Sequence, residues 1–296
     1  VSAQAGGWIA DFLAREALPE SYRDVIATQV APLGEQFAAA ARGRASPLLV
    51  GLCGAQGSGK STLAGALCAA MRADGLAVAA LSLDDLYLTR AARAELATRV
   101  HPLLATRGVP GTHEVGLGVA TFAALARAGE VALPAFDKSR DDRRPAGEWP
   151  HVTAPVDVIL FEGWCLGAVP EDEAALATPV NALERDEDPE GRWRRYVNDA
   201  LRGPYRQLFG PLDRLVLLKA PSFEVVFEWR REQERKLAAR VAASGTSGGT
   251  ALMDEARLAR FIAHYERLTR HILREMPARA DVLFELDAQR RITRRR

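Results

Sequence analysis

The chain has 296 residues, 48% of them hydrophobic, and 39 Lys+Arg against 38 Asp+Glu give a formal charge of +1. That length and apolar content supply a full core, as one large α/β domain or one domain with appendages. The charge balance argues against a protein that coats nucleic acid or lies on an anionic membrane.

Residues 1–45 read as helical. Trp8, Phe12 and Leu13 fall at helical spacing, Val25, Val30, Leu33 and Phe37 follow less regularly, and Pro19 and Pro32 act as breaks. No chemistry is visible in this segment, and a helical preface packed on the core is expected. An apolar run from Pro47 to Cys53 reads as a buried strand. Leu63, Leu67 and Met71 then recur at helical spacing until Asp74-Gly75 offers a stop. Between strand and helix, Gly54-Ala55-Gln56-Gly57-Ser58-Gly59-Lys60-Ser61, with Thr62 next, fits the pattern G-x-x-x-x-G-K-[ST]. Glycines let successive backbone N–H groups turn toward phosphate oxygens, Lys60 can reach β/γ-phosphates, and the Ser61 hydroxyl can ligate Mg²⁺. The start of the following helix adds its positive dipole end. A glycine-rich turn that binds nothing is the plainer alternative, and the order strand, loop, helix argues against it.

Further strands are expected over 76–83, ending in Asp84-Asp85, over 156–161, ending in Glu162-Gly163, and over 214–218 and 281–286. A short helix is expected over 119–128 and longer ones over 193–209, 223–243 and 254–275. Strands alternating with helices predict an α/β fold with a mostly parallel, doubly wound sheet flanked by helices. Ligands in such sheets sit at the carboxyl ends of the strands. The phosphate loop, Asp84-Asp85 and Glu162 should therefore meet at one edge. Segments 86–150 and 167–192 read as irregular insertions, 244–250 as a flexible Gly/Ser hinge, and the basic end from Arg290 to Arg296 as a solvated tail. Cys53, Cys68 and Cys165 have neither metal-ligand nor disulfide spacing, so reduced thiols and a cytoplasmic location are expected. No apolar run approaches membrane-spanning length and no signal pattern opens the chain. The first residue is Val1, which leaves open a targeting segment ahead of it.

Asp84 and Asp85 are candidates for a general base and for a substrate or metal contact. Side-chain alternation along a strand would send only one of them toward a bound phosphate; capping the following turn is the plainer alternative. Glu162, directly after an apolar strand beside a phosphate loop, is a candidate Mg²⁺ ligand, against a solvated strand end. His113 lacks any zinc-type spacing and either touches a substrate or lies at the surface. The charge run from Asp137 to Arg144 is either a solvated face or, in a loop next to the site, functional. Arg230, with Arg231 and Arg235 behind it, is a candidate lid arginine, against Glu/Arg pairing on a helix surface.

With these segments in order, the chain resembles the P-loop small-molecule kinases that include uridine kinase, phosphoribulokinase and pantothenate kinase. Within that group it is most similar to plant-type D-glycerate 3-kinase and its bacterial and fungal relatives. The likeness runs from about residue 46 to the end. It rests on the phosphate loop, Ser82-Leu83-Asp84-Asp85-Leu86-Tyr87-Leu88-Thr89, His101-Pro102-Leu103-Leu104, Arg107-Gly108-Val109-Pro110-Gly111-Thr112-His113-Glu114, the segment 133–144, Phe161-Glu162-Gly163-Trp164, Trp229-Arg230 and Tyr265-Glu266-Arg267-Leu268-Thr269-Arg270. The phosphate loop is common to very many NTPases, whereas the segments from 82 to 144 are much more specific. The resemblance implies ATP and Mg²⁺ as cofactors and a small hydroxylated acceptor, glycerate first, with no nucleic acid and no membrane as partner. It implies that Asp84, in the first place of a D-x-[FL]-Y pattern closed by Tyr87, accepts the acceptor's hydroxyl proton. One position departs from the pattern: Asp is expected after His113, and the chain has Glu114. For glycerate, the acceptor carboxylate is expected on Lys138 or Arg143, with His113 on a hydroxyl and Asp85 and Tyr87 in the same pocket. The domain reading is a helical segment over 1–45 and a kinase domain over 46–296, with the acceptor insertion at 86–150 and a lid at 223–252.

Other classes fit less well. A guanine-nucleotide switch would want N-K-x-D, and an ABC-type ATPase L-S-G-G-Q; the chain has neither. A nucleic-acid-linked ATPase is disfavoured by the neutral charge. A kinase for a nucleoside, pantothenate or a sugar phosphate is the alternative within the same class.

Overall fold

The structure is a computed structural model and describes residues 3–244 and 254–296. Six strands form the main sheet: β1 Leu48–Gly54, β2 Val78–Ser82, β3 Val158–Gly163, β4 Arg214–Lys219, β5 Val282–Leu286 and β6 Ile292–Arg295. Their spatial order is β6-β5-β4-β1-β3-β2, with every pairing parallel except the last hairpin of β5 and β6. β1 is buried along its whole length, which explains its uninterrupted apolar run: a central parallel strand is covered on both faces. Leu48, Val50 and Leu52 point into one core cluster and Leu49 and Cys53 into the other.

Register brings the strand ends together. Leu52 lies opposite Glu162, and Ser82 lies opposite Glu162 from the other side. Three aspartates set this alignment at the opposite edge. Asp157 accepts the Ala77 N–H at 2.7 Å, Asp213 the Leu49 N–H at 2.9 Å and Asp281 the Leu215 N–H at 2.7 Å. Each satisfies a strand-entry donor that the ladder leaves unpaired.

Helix α1 (Ala3–Arg15), a short helical stretch over 22–30 and α2 (Ala31–Ala41) pack on α3 (Lys60–Ala73). Phe12, Ile26, Leu33 and Phe37 are buried in the same cluster as Leu67 and Met71. Pro32 does not break the helical run: it follows directly on the π-helical turn Ile26–Val30, where the α-helical hydrogen-bond ladder is already shifted. The other sheet face is covered by α8 (Glu255–Glu275), which buries Tyr265, Leu268 and Ile272, and by the chain around Tyr205 and Leu208.

Several element boundaries differ from the sequence reading. The strand expected over 76–83 ends at Ser82, and Leu83–Leu86 forms a 3-10 turn. Strand alternation therefore does not apply to Asp84 and Asp85. β3 runs to Gly163, so Glu162 lies within the strand rather than after it. The helix expected over 119–128 is α5 (Val115–Leu125); Gly116 and Gly118, weak helix formers, concealed its start. The stretch 193–209 divides at Gly203-Pro204 into α6 (Arg192–Arg202) and a turn of helix Arg206–Phe209, since Pro204 cannot continue a helix. The segment 86–150 is not irregular. It holds α4 (Arg90–Arg99), α5 and the short strands Phe136–Asp137 and Asp142–Arg143, which form a hairpin; Gly129–Ala132 pairs with His151–Ala154 just beyond it. Segment 167–192 likewise carries the helix Ala182–Glu187. The basic end is strand β6 rather than a solvated tail. Helix α7 spans Phe223–Ser244; the Gly/Ser hinge from Gly245 to Thr250 and the end of the 223–252 lid lie outside the described residues. Among the described residues no helix is long and apolar enough to cross a membrane.

Candidate active site

β1 ends at Gly54 and α3 begins at Lys60, so residues 55–59 form the connecting loop and Lys60, Ser61 and Thr62 the first helical turn. The Ser58 N–H donates to the Ala55 carbonyl at 3.1 Å, which folds the loop back on itself. Gly57 and Gly59 have φ of +79° and +88°, in the left-handed region that side chains disfavour. A Cβ on Gly57 would also stand 2.7 Å from the Cβ of Trp229. Glycine is thus required twice at Gly57, for the turn and for the approach of α7. Gln56 Nε2 and Ser58 Oγ are buried without a hydrogen-bond partner, so the loop holds polar groups that the protein itself leaves unsatisfied.

Ser61 Oγ donates to Glu162 Oε1 at 3.2 Å, while Glu162 Oε2 is buried and unpartnered. Beside them the turn after β2 presents two aspartates in different surroundings. The Asp84 N–H donates to Ser82 Oγ at 3.3 Å. Asp84 Oδ1 accepts the Tyr87 hydroxyl at 3.0 Å and Oδ2 accepts Lys138 Nζ at 2.6 Å. Burial alone would raise the Asp84 carboxyl, but the charges of Lys138 and Lys60 outweigh it and hold the group at about 2. Asp85 turns the other way and accepts the Phe136 N–H at 3.0 Å. Burial pushes its carboxyl up to about 6; the charges of Asp84 and Glu162 add to the rise, and the Phe136 N–H and Lys138 oppose it in part.

The loop 107–114 stands behind Asp84. Gly108 has φ of +139°, and a Cβ there would fall 2.1 Å from the Tyr265 hydroxyl. That hydroxyl donates to the Arg107 carbonyl at 3.1 Å, and Trp164 Nε1 donates to the Gly108 carbonyl at 2.8 Å. Thr112 closes the loop on itself, accepting from the Gly108 N–H at 3.1 Å and donating to the Val109 carbonyl at 2.7 Å. His113 is buried rather than at the surface. Its ring stacks on Tyr87, 4.5 Å between centroids, and its Nδ1 meets the Tyr205 hydroxyl at 2.5 Å. Burial holds the imidazole neutral, down to about 3, against the pull of Asp84. Its Nε2 is buried without a partner. Tyr87 is buried as well, so its hydroxyl serves Asp84.

The hairpin carrying Lys138 is fixed at its root. Asp142 accepts the Arg90 N–H at 3.1 Å, and Arg143 Nη2 donates to the Tyr87 carbonyl at 2.8 Å. Arg143 Nη1 pairs with Glu114 at 2.7 Å. The departure at Glu114 thus has a structural partner: the longer side chain meets a guanidinium across the site. Arg107 and the fully buried Arg93 both pair with Asp141. Lys138 is the one cation of the hairpin that reaches Asp84.

On the phosphate-loop side, Arg230 of α7 pairs with Glu234, donates to Gln233 Oε1 at 3.1 Å and lies 5.8 Å from the centre of the Phe261 ring. Arg231 pairs with Glu228 at 2.6 Å, and Arg235 is exposed. Two further residues at the loop escaped the sequence reading. Arg290 Nε donates to the Gly57 carbonyl at 2.6 Å, its Nη2 meets Glu232 at 2.8 Å, and its guanidinium lies 5.2 Å from the centre of the Trp229 ring. Tyr22, from the N-terminal segment, brings its hydroxyl to 3.9 Å from where a Gly59 Cβ would stand. Neither carries a local signal, since both partners come from opposite ends of the chain.

No family model matches the chain. The uncharacterized kinase mug58 of Schizosaccharomyces pombe is 34% identical over 228 residues, 74% of this chain and 78% of that one. The chloroplastic D-glycerate 3-kinase of Arabidopsis thaliana is 35% identical over 198 residues, 64% of this chain and 41% of that longer one. Among solved structures, D-glycerate 3-kinase from Cryptococcus neoformans superposes with a TM-score of 0.69 at 25% identity, covering 90% of this chain and 97% of the other. On these likenesses the chain belongs to the P-loop small-molecule kinases, in the group that holds D-glycerate 3-kinase.

Proposed function

We propose that this kinase transfers the γ-phosphoryl group of ATP to the terminal hydroxyl of D-glycerate, giving 3-phosphoglycerate. The observation that carries the reading is Asp84, which Lys138 contacts directly and on which the charge of Lys60 also acts. Lys60 belongs to the phosphate loop and Lys138 to the acceptor-side hairpin, and both act on the same carboxylate. An acceptor with a hydroxyl at Asp84 and a carboxylate a few ångströms away would satisfy both sides. Lys138 is preferred over Arg143 for that carboxylate, because Lys138 is exposed and stands at the base itself, whereas Arg143 is half-buried and tied to both Glu114 and the Tyr87 carbonyl.

In this reading residues 54–62 cradle the phosphates, and Lys60 neutralises charge that develops on them. Asp84 takes the hydroxyl proton, and Tyr87 holds its carboxylate in place. Asp85 anchors the hairpin through Phe136 N–H. His113, neutral and with Nε2 unpartnered, offers that nitrogen to an acceptor hydroxyl. Arg230 is assigned to the lid over ATP. The all-oxygen pair of Ser61 Oγ and Glu162, with Oε2 left unsatisfied, fits a hard divalent cation such as Mg²⁺. That ion would screen phosphate charge during transfer. The three cysteines are free and buried, which agrees with a reducing compartment, and we assign the enzyme to the cytoplasm.

The test is ADP release with D-glycerate, L-glycerate, glycerol, uridine, pantothenate and ribulose 5-phosphate as acceptors. D-glycerate should be used best. Glycerol offers Lys138 no carboxylate to pair with in place of Asp84 and should be poor by several kcal/mol. Equal use of glycerol and glycerate, or a preference for uridine, would overturn the acceptor while leaving a kinase.

A further inference from the structure

Lys138 meets Asp84 at 2.6 Å, and the two side chains differ in setting: Lys138 is 62% exposed and Asp84 23%. The lysine reaches in from the hairpin tip with most of its stem in water. The tip beneath it is ordered, because Asp137 Oδ1 accepts the Ser139 N–H at 2.9 Å and the Ser139 hydroxyl at 2.6 Å. The root is held by Arg143 and by the Phe136 N–H on Asp85. A fixed hairpin with a solvent-borne lysine lets the ammonium swing without moving the backbone.

Both oxygens of the proposed base are engaged within the protein, Oδ1 by Tyr87 and Oδ2 by Lys138. A carboxylate that accepts a charged donor binds a proton poorly. Lys138 is also the foremost of the charges that hold Asp84 low. We propose that Lys138 masks Asp84 until an acceptor's own carboxylate draws the ammonium away, so that a carboxylated acceptor releases the base that its hydroxyl then uses. This rests on the kinase reading above and adds an ordering to it. The hydroxyl oxygen bonds to the γ-phosphorus, the bond from that phosphorus to the bridging oxygen breaks with its electron pair going to ADP, and the hydroxyl proton passes to Asp84 Oδ2. Before the acceptor arrives, water near the γ-phosphate meets an occupied base, and ATP is protected from idle hydrolysis. Specificity for a carboxylate is then exerted on the chemical step as well as on binding. Three arginines of the same segment are held elsewhere, Arg143 by Glu114, and Arg93 and Arg107 by Asp141.

The test separates the carboxylate from the reacting hydroxyl. D-Lactate keeps the carboxylate and the neighbouring hydroxyl of D-glycerate but lacks the terminal one; D-lactamide lacks the charge as well. Inorganic phosphate release from ATP is measured with each compound, at concentrations shown by competition to displace D-glycerate. D-Lactate should raise hydrolysis on the order of 10-fold and D-lactamide should not. Lys138→Met should hydrolyse ATP faster than the parent with no addition, and D-lactate should add nothing further. No stimulation by bound D-lactate, or stimulation equal to that by D-lactamide, overturns the masking role without needing the variant. If instead D-glycerate yields no 3-phosphoglycerate in the parent enzyme, the acceptor assignment is what fails.

Discussion

Asp84 and Asp85 are adjacent in sequence and opposite in character, and the cause is the 3-10 turn that carries them. The turn aims Asp84 at Lys138 and Asp85 at a backbone N–H. Asp84→Asn keeps an acceptor for the Tyr87 hydroxyl but cannot take a proton. It should lower kcat roughly 10²–10⁴-fold with a smaller effect on the ATP KM, as steady-state titrations would reveal. A larger loss of kcat in Asp85→Asn would transfer the base to Asp85. For Asp85 the stronger expectation concerns stability. Its carboxyl is raised above its ordinary value of 3.8 to about 6, chiefly by burial, while Asp84, Glu162, Lys138 and the Phe136 N–H face it. A raised acid favours the fold while protonated. That contribution is complete below the ordinary value and is lost as pH rises through about 6. Asp85→Asn still accepts the Phe136 N–H and no longer ionises. Its melting temperature should exceed the parent's by a few degrees at pH 8 and match it near pH 4; the same difference at both values would rule out this linkage.

Elements were legible in proportion to how completely they are buried. β1 and β3 announced themselves because a central parallel strand takes apolar residues on both faces. β6 was hidden because Ile292–Arg295 is an antiparallel edge strand whose Thr293 and Arg294 face solvent, so its composition imitates a tail. The hairpin 136–143 was equally hidden, since its two strands are two residues each and its anchors, Asp85, Arg90 and Glu114, lie far away in sequence. The phosphate loop needed no such partners, because its glycines encode the turn locally. The missed β5–β6 connection has a functional consequence. Arg290, itself at a φ of +65°, grips the Gly57 carbonyl and covers Trp229, which in turn packs on Gly57. Arg290→Ala removes a charged donor from a carbonyl of the phosphate loop, an interaction of about 1.5–3 kcal/mol. The ATP KM should rise roughly 10- to 100-fold, about what that energy converts to, while the KM for the acceptor stays within about two-fold of the parent. An unchanged ATP titration would mean that the loop holds its shape without the hairpin.

At the scale of the whole molecule the two ends of the chain close on the same place. The N-terminal segment lies against α3 and brings Tyr22 beside Gly59, while Arg295 of β6 donates to the Gln29 carbonyl at 3.2 Å and to Gln36 Oε1 at 3.3 Å. Sequence could mark residues 1–45 as helical, because the period of Trp8, Phe12 and Leu13 is local. It could not tell what they cover, because that surface is made by residues more than thirty positions on. We propose that residues 1–45 and 46–296 are one folding unit and that the first is no removable appendage. Phe12, Ile26, Leu33 and Phe37 are each 3% exposed or less. Fully burying a side chain of that kind contributes about 1.5–3 kcal/mol. Four of them together approach the roughly 5–15 kcal/mol that holds a typical domain folded. The packing is also too close to be refilled by a neighbour: a Cβ on Gly65 would stand 3.2 Å from Phe12, and one on Gly34 2.8 Å from the Ala70 Cβ. Removing residues 1–45 would strip α3 along the face that buries Leu67 and Met71, directly behind Lys60 and Ser61. The truncated chain should be insoluble or should melt without a cooperative transition by circular dichroism, and should lose ATP binding with it. A soluble truncated protein that melts cooperatively and phosphorylates its acceptor at the parent rate would make the segment an accessory after all.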